Sequence, residues 1–342
     1  MRRAVVDLTS LRPIWSIPPT SVSVIREAFG NGWEVVAVSE PTASDGDGAG
    51  GTAAAVQAAA GAEVYVGWGV SADVIRAAGE KLRWVHTAAA GVGGSITPEL
   101  RSGGAVITNS RVVLGEPIAD WVVAAIGFCA SAFHVVVAAQ NERRWAKAEL
   151  TSLNTPVREL RDLNVGIVGA GGIGQAVAKR CRALGMYVSA IRRDPARRRP
   201  QGIRWVGGPG DLLEMARQSD VLVIAAPHTV ETYRIVDESV LAMLPDGAYV
   251  INVARGALLD EDALLVHLNN GHLAGAVLDV FAKEPLAEDH PFWSHPRILV
   301  TPHVSGVSHR FWEREMELIV DNIGRYLQGK RLRNLVNLTT GY

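Results

Sequence analysis

The stretch Asn164-Val165-Gly166-Ile167-Val168-Gly169-Ala170-Gly171-Gly172-Ile173-Gly174 decides the fold of this chain. Residues 164–168 are typical of a buried strand, 169–174 form a G-x-G-x-x-G turn, and 175–180 favour a helix. In such a turn one glycine permits the tight bend, one lets the backbone approach a pyrophosphate, and one packs the helix against the strand. The N-terminus of the helix offers free N–H groups to the phosphate. The pattern favours dinucleotide binding, with a plain turn as the alternative. The predicted cofactor contacts here are Gly169, Gly171, Gly172, Ile173 and Gly174.

The next strand ends in Ile191-Arg192-Arg193-Asp194-Pro195, where NAD-binding domains usually carry an acidic residue for the ribose. A guanidinium suits a 2′-phosphate instead. Arg192 and Arg193 therefore favour NADP(H), and NAD(H) remains an alternative. Asp194 is near enough to reach a ribose hydroxyl, and a solvated basic turn is the other interpretation.

Short apolar runs alternate with helical patterns on both sides of the glycine turn. Runs of this kind, rich in β-branched residues, are typical of buried parallel strands in βαβ units. At roughly 150 residues per domain, a chain of 342 residues suggests two α/β domains. A final amphipathic helix is predicted over 311–327, with Ile319, Ile323 and Leu327 on its apolar stripe. The predicted strands cover 4–6, 34–38, 64–68, 82–86, 105–108, 165–168, 187–191, 203–206, 221–225, 248–253, 276–280 and 298–300.

Composition excludes several classes of protein. The chain has 34 basic and 35 acidic residues, which argues against a general nucleic-acid or anionic-membrane binder. Two cysteines form neither a disulfide framework nor a four-thiolate zinc site, so no metal is expected and a reducing cytoplasm is favoured. The apolar run at the N-terminus is too short for a secretory leader. Residues 43–51, which include several of the 35 glycines, are predicted to form a flexible surface loop.

A long apolar segment precedes the glycine turn. Residues 121–139 contain only Ser131 and His134 as polar residues, which is nearly long enough to span a bilayer. Because the segment is mostly Ala and Val and has no second candidate span beside it, we interpret it as a buried or inter-subunit helix.

Three polar residues follow strands of the second half, where ligands of open α/β sheets bind. Arg255 can bind the carboxylate and carbonyl of a keto acid, and His303 can protonate the developing alkoxide. Glu284 can orient that histidine and favour its protonated form. Each has a structural alternative: an ion pair, a surface carboxylate or a hydrogen-bonded loop histidine. His228 competes with His303 but lies nearer the expected cofactor edge, while His267 and His272 are expected to be solvated.

The order and spacing of five motifs resemble those of the D-isomer-specific 2-hydroxyacid dehydrogenases. The motifs are Asn252-Val253-Ala254-Arg255-Gly256, Leu259-Asp260-Glu261, residues 274–281, Glu284-Pro285-Leu286 and Thr301-Pro302-His303. The resemblance runs from about Val66 to Val336. It implies that Arg255, Glu284 and His303 are the catalytic substrate clamp, histidine partner and general acid/base.

Further roles come from the same resemblance. Asp279 is similar to the residue that holds the nicotinamide carboxamide, Pro227 and Thr232 to contacts at the cofactor edge, and Val253 and Ala254 to the lining of the nicotinamide face. Ala90, Gly91 and Val92 resemble the loop whose amides bind the substrate carboxylate. Two departures matter: Gly93 stands where the family often has an acidic residue, and Arg192 replaces the usual Asp, as in NADP-preferring members.

The resemblance also implies an inserted nucleotide-binding domain. The expected fold is two Rossmann- or flavodoxin-like, doubly wound parallel-sheet domains. The substrate domain takes 1–109 and 307–342, and the NAD(P)-binding domain takes 110–306 with a dimerisation helix near 116–140. Trp68, Phe292 and Trp293 are candidate linings of the substrate pocket.

The sequence thus leads to one main hypothesis: NADPH-dependent reduction of small 2-keto acids of the glyoxylate and hydroxypyruvate type by a cytoplasmic homodimer. An NAD-dependent 3-phosphoglycerate or other D-2-hydroxyacid dehydrogenase is the second enzymatic hypothesis. A nucleotide-sensing protein of the co-repressor kind is the alternative from another class, and an intact Arg–Glu–His set disfavours it.

Overall fold

The structure is a computed structural model that describes residues 1–42, 51–152 and 155–341. The predicted surface loop at 43–51 therefore lies, except for Gly51, outside the described residues.

Each predicted strand has a counterpart among the twelve strands of the described chain. The strands are β1 (Arg2–Asp7), β2 (Trp33–Ala37), β3 (Val64–Gly67), β4 (Trp84–Thr87), β5 (Val106–Asn109), β6 (Asn164–Val168), β7 (Tyr187–Ile191), β8 (Trp205–Gly207), β9 (Val221–Ile224), β10 (Ala248–Asn252), β11 (Leu273–Leu278) and β12 (Ile298–Val300). The helices are α1 (Pro19–Phe29), α2 (Ala53–Ala58), α3 (Ala72–Ala78), α4 (Pro98–Ser102), α5 (Gly115–Ala130), α6 (Phe133–Asn141), α7 (Lys147–Leu150), α8 (Gly172–Ala183), α9 (Leu212–Arg217), α10 (Glu238–Met243), α11 (Glu261–Asn269) and α12 (Phe311–Leu327).

The described chain divides into two compact units. Unit 1 comprises Met1–Leu114 and Ser308–Tyr342, and unit 2 comprises Gly115–Val307. The expected domain boundaries at 109/110 and 306/307 fall slightly before these positions.

Unit 1 is built on a parallel five-stranded sheet in the order β2-β1-β3-β4-β5, which is the flavodoxin-like doubly wound order. Helix α12 buries Phe311, Leu318, Ile319 and Ile323 in the core of this unit. Its bounds agree with the predicted helix, but Leu327 is exposed rather than part of the buried stripe.

Unit 2 is built on a parallel seven-stranded sheet in the order β12-β11-β10-β9-β6-β7-β8. Strand order reverses between β6 and β9, and ligands of such sheets bind beyond the carboxyl ends of the strands at this switch point. The two sheets confirm the predicted fold class of two doubly wound parallel α/β domains.

The apolar segment at 116–140 is two helices rather than the single helix that the sequence predicts. Helix α5 ends at Ala130, and the chain turns by 70° into α6. The break is at Ala132, which has a left-handed backbone (φ 53°) and whose amide bonds the carbonyl of Cys129. In the part of the chain that the structure describes, no single helix is long and apolar enough to cross a membrane, and this bent pair meets the criterion by length and composition only.

Candidate active site

The glycine turn connects β6 to α8 and has the geometry of a phosphate cradle. Gly169 has a φ of 109°, and a Cβ there would lie 2.6 Å from the amide nitrogen of Ala226. A Cβ on Gly174 would collide with the carbonyl of Gly169, so this glycine allows the helix to pack against the turn. Gly171 caps α8 and faces open space among the described residues. Gly172 and Ile173 open the helix, where unpaired N–H groups suit a phosphate.

Arg192 lies at the end of β7 and folds back on the turn that follows it. Its guanidinium donates to the carbonyl oxygens of Pro195, Arg197 and Arg198. Asp194, the alternative ribose ligand, lies 3.1 Å from the guanidinium of Arg197. Arg193 is exposed, and its charge contributes to lowering the pKa of Glu231, after a hydrogen bond from Thr229 and a backbone amide. Arg192 therefore shapes the turn, and Arg193 is presented at its surface.

Pro227 and Thr232 lie together in the turn after β9. The Thr232 hydroxyl donates to the Pro227 carbonyl at 2.6 Å and accepts from the amide of Thr229 at 2.8 Å. His228 is exposed in the same turn, with its ring 6.4 Å from that of Tyr233.

His303 and Glu284 form a close pair, with 2.7 Å between Nδ1 of the histidine and Oε2 of the carboxylate. The other carboxylate oxygen accepts from the amide of Phe281 at 2.9 Å. The hydrogen bond to Glu284 raises the pKa of His303 above its usual value, against burial and the charge of Arg255. Burial alone would raise the pKa of Glu284, but its hydrogen bonds and the positive charges of His303 and Arg255 outweigh that effect and lower it. The pair therefore favours a protonated imidazolium on His303 beside an ionised carboxylate on Glu284.

Asp279 holds the loop that carries His303. Its buried side chain accepts hydrogen bonds from the Thr301 hydroxyl at 2.6 Å, the Val304 amide at 2.9 Å and the Ser305 amide at 2.8 Å. Its backbone carbonyl accepts from the amide of His303, which has a left-handed backbone (φ 54°). Asp279 thus shapes the loop that carries His303, a contribution that the sequence did not indicate.

Arg255 projects from a tight corner at the end of β10. Asn252, which is fully buried, accepts from the amide of Ala254 at 3.0 Å and donates to the carbonyl of Arg255 at 3.1 Å. The guanidinium donates to the carbonyl of Ala254 at 2.7 Å, and its charge acts on both Glu284 and His303. Val253 and Ala254 are buried in the same corner.

Two backbone segments that carry site residues are packed directly on each other. A Cβ on Gly256 would collide with the backbone of Phe281 and Ala282, so the Arg255 corner and the Glu284 turn touch only because this residue is glycine. Glu261 at the start of α11 accepts from the amide of Ala282 at 2.8 Å and fixes the same turn. The sequence predicts no separate role for four further residues of the motifs, Asn252, Gly256, Glu261 and Thr301. Among them only Asn252 has a local signal, because an Asn side chain commonly accepts from a backbone amide two residues further on.

The predicted substrate loop lies in unit 1, after β4. Its carbonyls are occupied: Ala89 accepts from the amide of Ser110 at 3.0 Å and Ala90 from the side chain of Asn109 at 2.6 Å. Within the described residues, the amides of Ala90, Gly91 and Val92 donate to no protein acceptor. The loop therefore presents unpaired N–H groups, which suit an anion.

Three other expectations, those for Phe292, Trp68 and His267, were wrong. Phe292 is fully buried in the core of unit 2 and cannot line a pocket surface. Trp68 is buried in unit 1, stacked on Phe311. His267 is only 7% exposed and lies 3.0 Å from a carboxylate oxygen of Glu238, rather than being solvated. Over the described ranges, no three His, Cys, Asp or Glu side chains are placed to hold a metal ion.

A phosphate-binding glycine turn on a seven-stranded parallel sheet, with a His–Glu pair and an arginine on the same unit, defines a dinucleotide-dependent oxidoreductase. The model of the D-isomer specific 2-hydroxyacid dehydrogenase NAD-binding domain matches residues 125–305. The chain belongs to this family.

The relatives are named as reductases and dehydrogenases. The chain is 34% identical to glyoxylate/hydroxypyruvate reductase A of Escherichia fergusonii over 231 residues, 67% of this chain and 70% of that protein. The reductase A of Yersinia enterocolitica is 39% identical over 178 residues, which cover only 56% of its length.

Solved structures match the whole chain. A D-isomer specific 2-hydroxyacid dehydrogenase from Xanthobacter autotrophicus, in complex with NADPH and MES, has a TM-score of 0.80 at 27% identity, with full coverage of both chains. An NADPH-dependent glyoxylate/hydroxypyruvate reductase from Sinorhizobium meliloti, in complex with NADP and sulfate, has a TM-score of 0.77 at 26% identity, also with full coverage of both chains.

Proposed function

We propose that this protein reduces small 2-keto acids of the glyoxylate and hydroxypyruvate type to D-2-hydroxy acids with NADPH. The observation that carries the proposal is the His303–Glu284 pair, 2.7 Å apart and under the charge of Arg255. The names of the reductase relatives and the NADPH-bound structural neighbours support the substrate class and the cofactor.

The direction of proton transfer follows from which ring nitrogen of His303 faces Glu284. When bound, the dinucleotide supplies a hydride to the keto carbon. Because Nδ1–H of His303 donates to Glu284, Nε2–H is the proton that His303 gives to the substrate oxygen. Glu284 stabilises the imidazolium before transfer, and Arg255 binds the keto acid through its forked donors. The unpaired amides of Ala90, Gly91 and Val92 are proposed to bind the substrate carboxylate.

The cofactor contacts are proposed from the turns described above. Gly169, Gly171, Gly172, Ile173 and Gly174 fit a pyrophosphate, because Gly171 faces open space at the N-terminus of α8. Arg193, on the turn that Arg192 shapes, supplies positive charge for a 2′-phosphate. Pro227, Thr232, Val253, Ala254 and Asp279 are proposed to contact the nicotinamide side.

We further propose a homodimer that works in the cytoplasm. Phe133 is 50% exposed, Val137 46% and Trp145 89%, all in unit 2, and such an apolar surface suits a second copy of the chain. The residues 1–109 with 307–342 would be the substrate domain and 110–306 the cofactor domain. Two buried free thiols, Cys129 and Cys181, suit a reducing compartment.

The deciding experiment is a panel of 2-keto acids assayed with NADPH and NADH in parallel. We expect the highest kcat/KM with glyoxylate or hydroxypyruvate and NADPH. Higher kcat/KM with NADH would contradict the cofactor assignment. Cofactor binding without turnover of any keto acid would instead indicate a nucleotide-sensing protein.

A further inference from the structure

Unit 1 contains a buried polar cluster that the proposed chemistry does not use. His86 lies on β4, Ser110 follows β5 and Glu315 lies on α12, and all three are 0% exposed. Nε2 of His86 lies 2.8 Å from Oε1 of Glu315, and the Ser110 hydroxyl lies 2.9 Å from the same oxygen. The cluster therefore joins two strands to a helix that is 229 residues away in sequence.

Both ring nitrogens of His86 have polar partners. Nδ1 of His86 lies 2.8 Å from the Thr108 hydroxyl, which also accepts from Trp84 Nε1 at 2.9 Å. The second oxygen of Glu315 is buried and has no partner among the described residues. Apolar side chains would fill such a space at no greater cost in stability, so stability alone does not explain this carboxyl.

The cluster is bonded directly to the substrate loop. The Ser110 hydroxyl lies 3.0 Å from the carbonyl oxygen of Thr87, and the Ser110 amide donates to the carbonyl of Ala89 at 3.0 Å. The neighbouring Asn109 side chain donates to the carbonyl of Ala90. Ser110 thus touches Glu315, the carbonyl of Thr87 at the end of β4, and the carbonyl of Ala89, which belongs to the same peptide group as the unpaired amide of Ala90.

We propose that His86, Ser110 and Glu315 are positioning residues that hold the loop 88–92 with its amides directed at the substrate carboxylate. Helix α12 thereby acts on substrate binding through Ser110. The proposal rests on the proposed function, because the loop's ligand is the keto acid of that reaction.

The test compares Ser110→Ala and Glu315→Gln with the control Asn322→Ala. Asn322 is also buried on α12, but its side chain bonds the backbone of Arg333 and does not reach the loop.

We expect both cluster variants to raise the KM for the keto acid about 10-fold or more, by analogy with the loss of about 10- to 100-fold that follows removal of residues behind metal ligands. The KM for NADPH should change less than about 2-fold, because the proposed cofactor contacts lie in unit 2. Asn322→Ala should lower Tm without raising the keto-acid KM. Ser110→Ala removes a single hydroxyl and decides the question if Glu315→Gln does not fold.

Hydrogen exchange separates this proposal from the proposed function. In the variants the amides of Ala88 and Ser110, which donate to the carbonyls of Gly67 and Ala89, should exchange faster, while those of β1 stay protected as in the wild type. An unchanged keto-acid KM, or unchanged exchange in the loop, would overturn the positioning role. A wild type that turns over no keto acid, with faster loop exchange in the variants, would overturn only the proposed function.

Discussion

The left-handed backbone of His303 (φ 54°) determines how the imidazole meets Glu284. Non-glycine residues adopt this conformation when the surroundings impose it, and here Asp279 accepts three hydrogen bonds from Thr301, Val304 and Ser305. The conformation of the loop that carries His303 is therefore held by the buried carboxylate of Asp279.

Replacement of His303 tests the proton donor. The side chain of His303→Gln has a similar size but no acidic proton to transfer, so kcat for keto-acid reduction should fall by about 10² or more. NADPH affinity, measured by fluorescence titration, should stay close to that of the wild type. Turnover near the wild-type rate would contradict the assignment of His303 as general acid.

Replacement of Glu284 tests the electrostatics of the pair. Reduction needs the imidazolium, so kcat/KM should be level at low pH and fall as pH rises through the raised pKa of His303. Glu284→Gln removes the anion that raises this pKa, while burial and Arg255 still lower it. The falling limb should therefore move to lower pH, measured as the pH profile of kcat/KM. For oxidation of the hydroxy acid, the rising limb should move in the same direction. If Glu284→Gln leaves the pH profile of kcat/KM unchanged, the falling limb does not report the titration of His303.

The arginines after β7 test cofactor choice. Arg193→Ala combined with Arg192→Ala should raise the KM for NADPH about 10-fold or more, since hydrogen bonds between charged groups are worth roughly 1.5–3 kcal/mol. The KM for NADH should change far less. Arg217→Ala combined with Arg76→Ala, which also removes two exposed arginines, controls for net charge. Equal changes for both cofactors would refute the 2′-phosphate role.

At the scale of elements, the strands were predictable because buried parallel strands are short β-branched runs bounded by Gly, Pro or polar residues. The break at Ala132 was not, because the residues next to it include no Gly, Asn or Asp to signal a left-handed backbone. Arg255, Glu284 and His303 follow strands and were recognisable from that position. The contact between His86 and Glu315 was not, because nothing local relates residues 229 positions apart.

The close contact at Gly256 between the corner of Arg255 and the turn of Glu284 gives a testable prediction. Gly256→Ala would force the Arg255 corner away from the backbone of Phe281, which precedes Glu284. Because displacements of about 1 Å can cost about 10²-fold in rate, kcat/KM should fall by that order, and Tm should fall by several degrees. Gly210→Ala is the matched control, because a Cβ there meets open space among the described residues. Activity retained in Gly256→Ala would show that the two turns move independently.

At the scale of the whole molecule, the apolar surface of α6 should govern assembly. Phe133 and Val137 are exposed one turn apart, and the cavity beside them, about 190 Å³, is lined by His134, Tyr249 and Arg297. Phe133→Asp combined with Val137→Asp should convert a dimer to a monomer in light scattering after size exclusion, because burying carboxylates in an interface is costly. Val266→Asp, at an exposed valine of α11, is the control. A dimer that survives the double substitution would place the interface elsewhere.

The interruption of unit 1 by unit 2 has a consequence for how the protein is made. Strands β1 to β5 leave the ribosome before unit 2, but the helix that covers Val6, Ile25 and Trp68 is translated after unit 2. Unit 2 is one continuous segment and can fold while α12 is still being synthesised. The sheet of unit 1 therefore stays without its covering helix throughout the synthesis of unit 2, and its apolar face is exposed to other chains during that time.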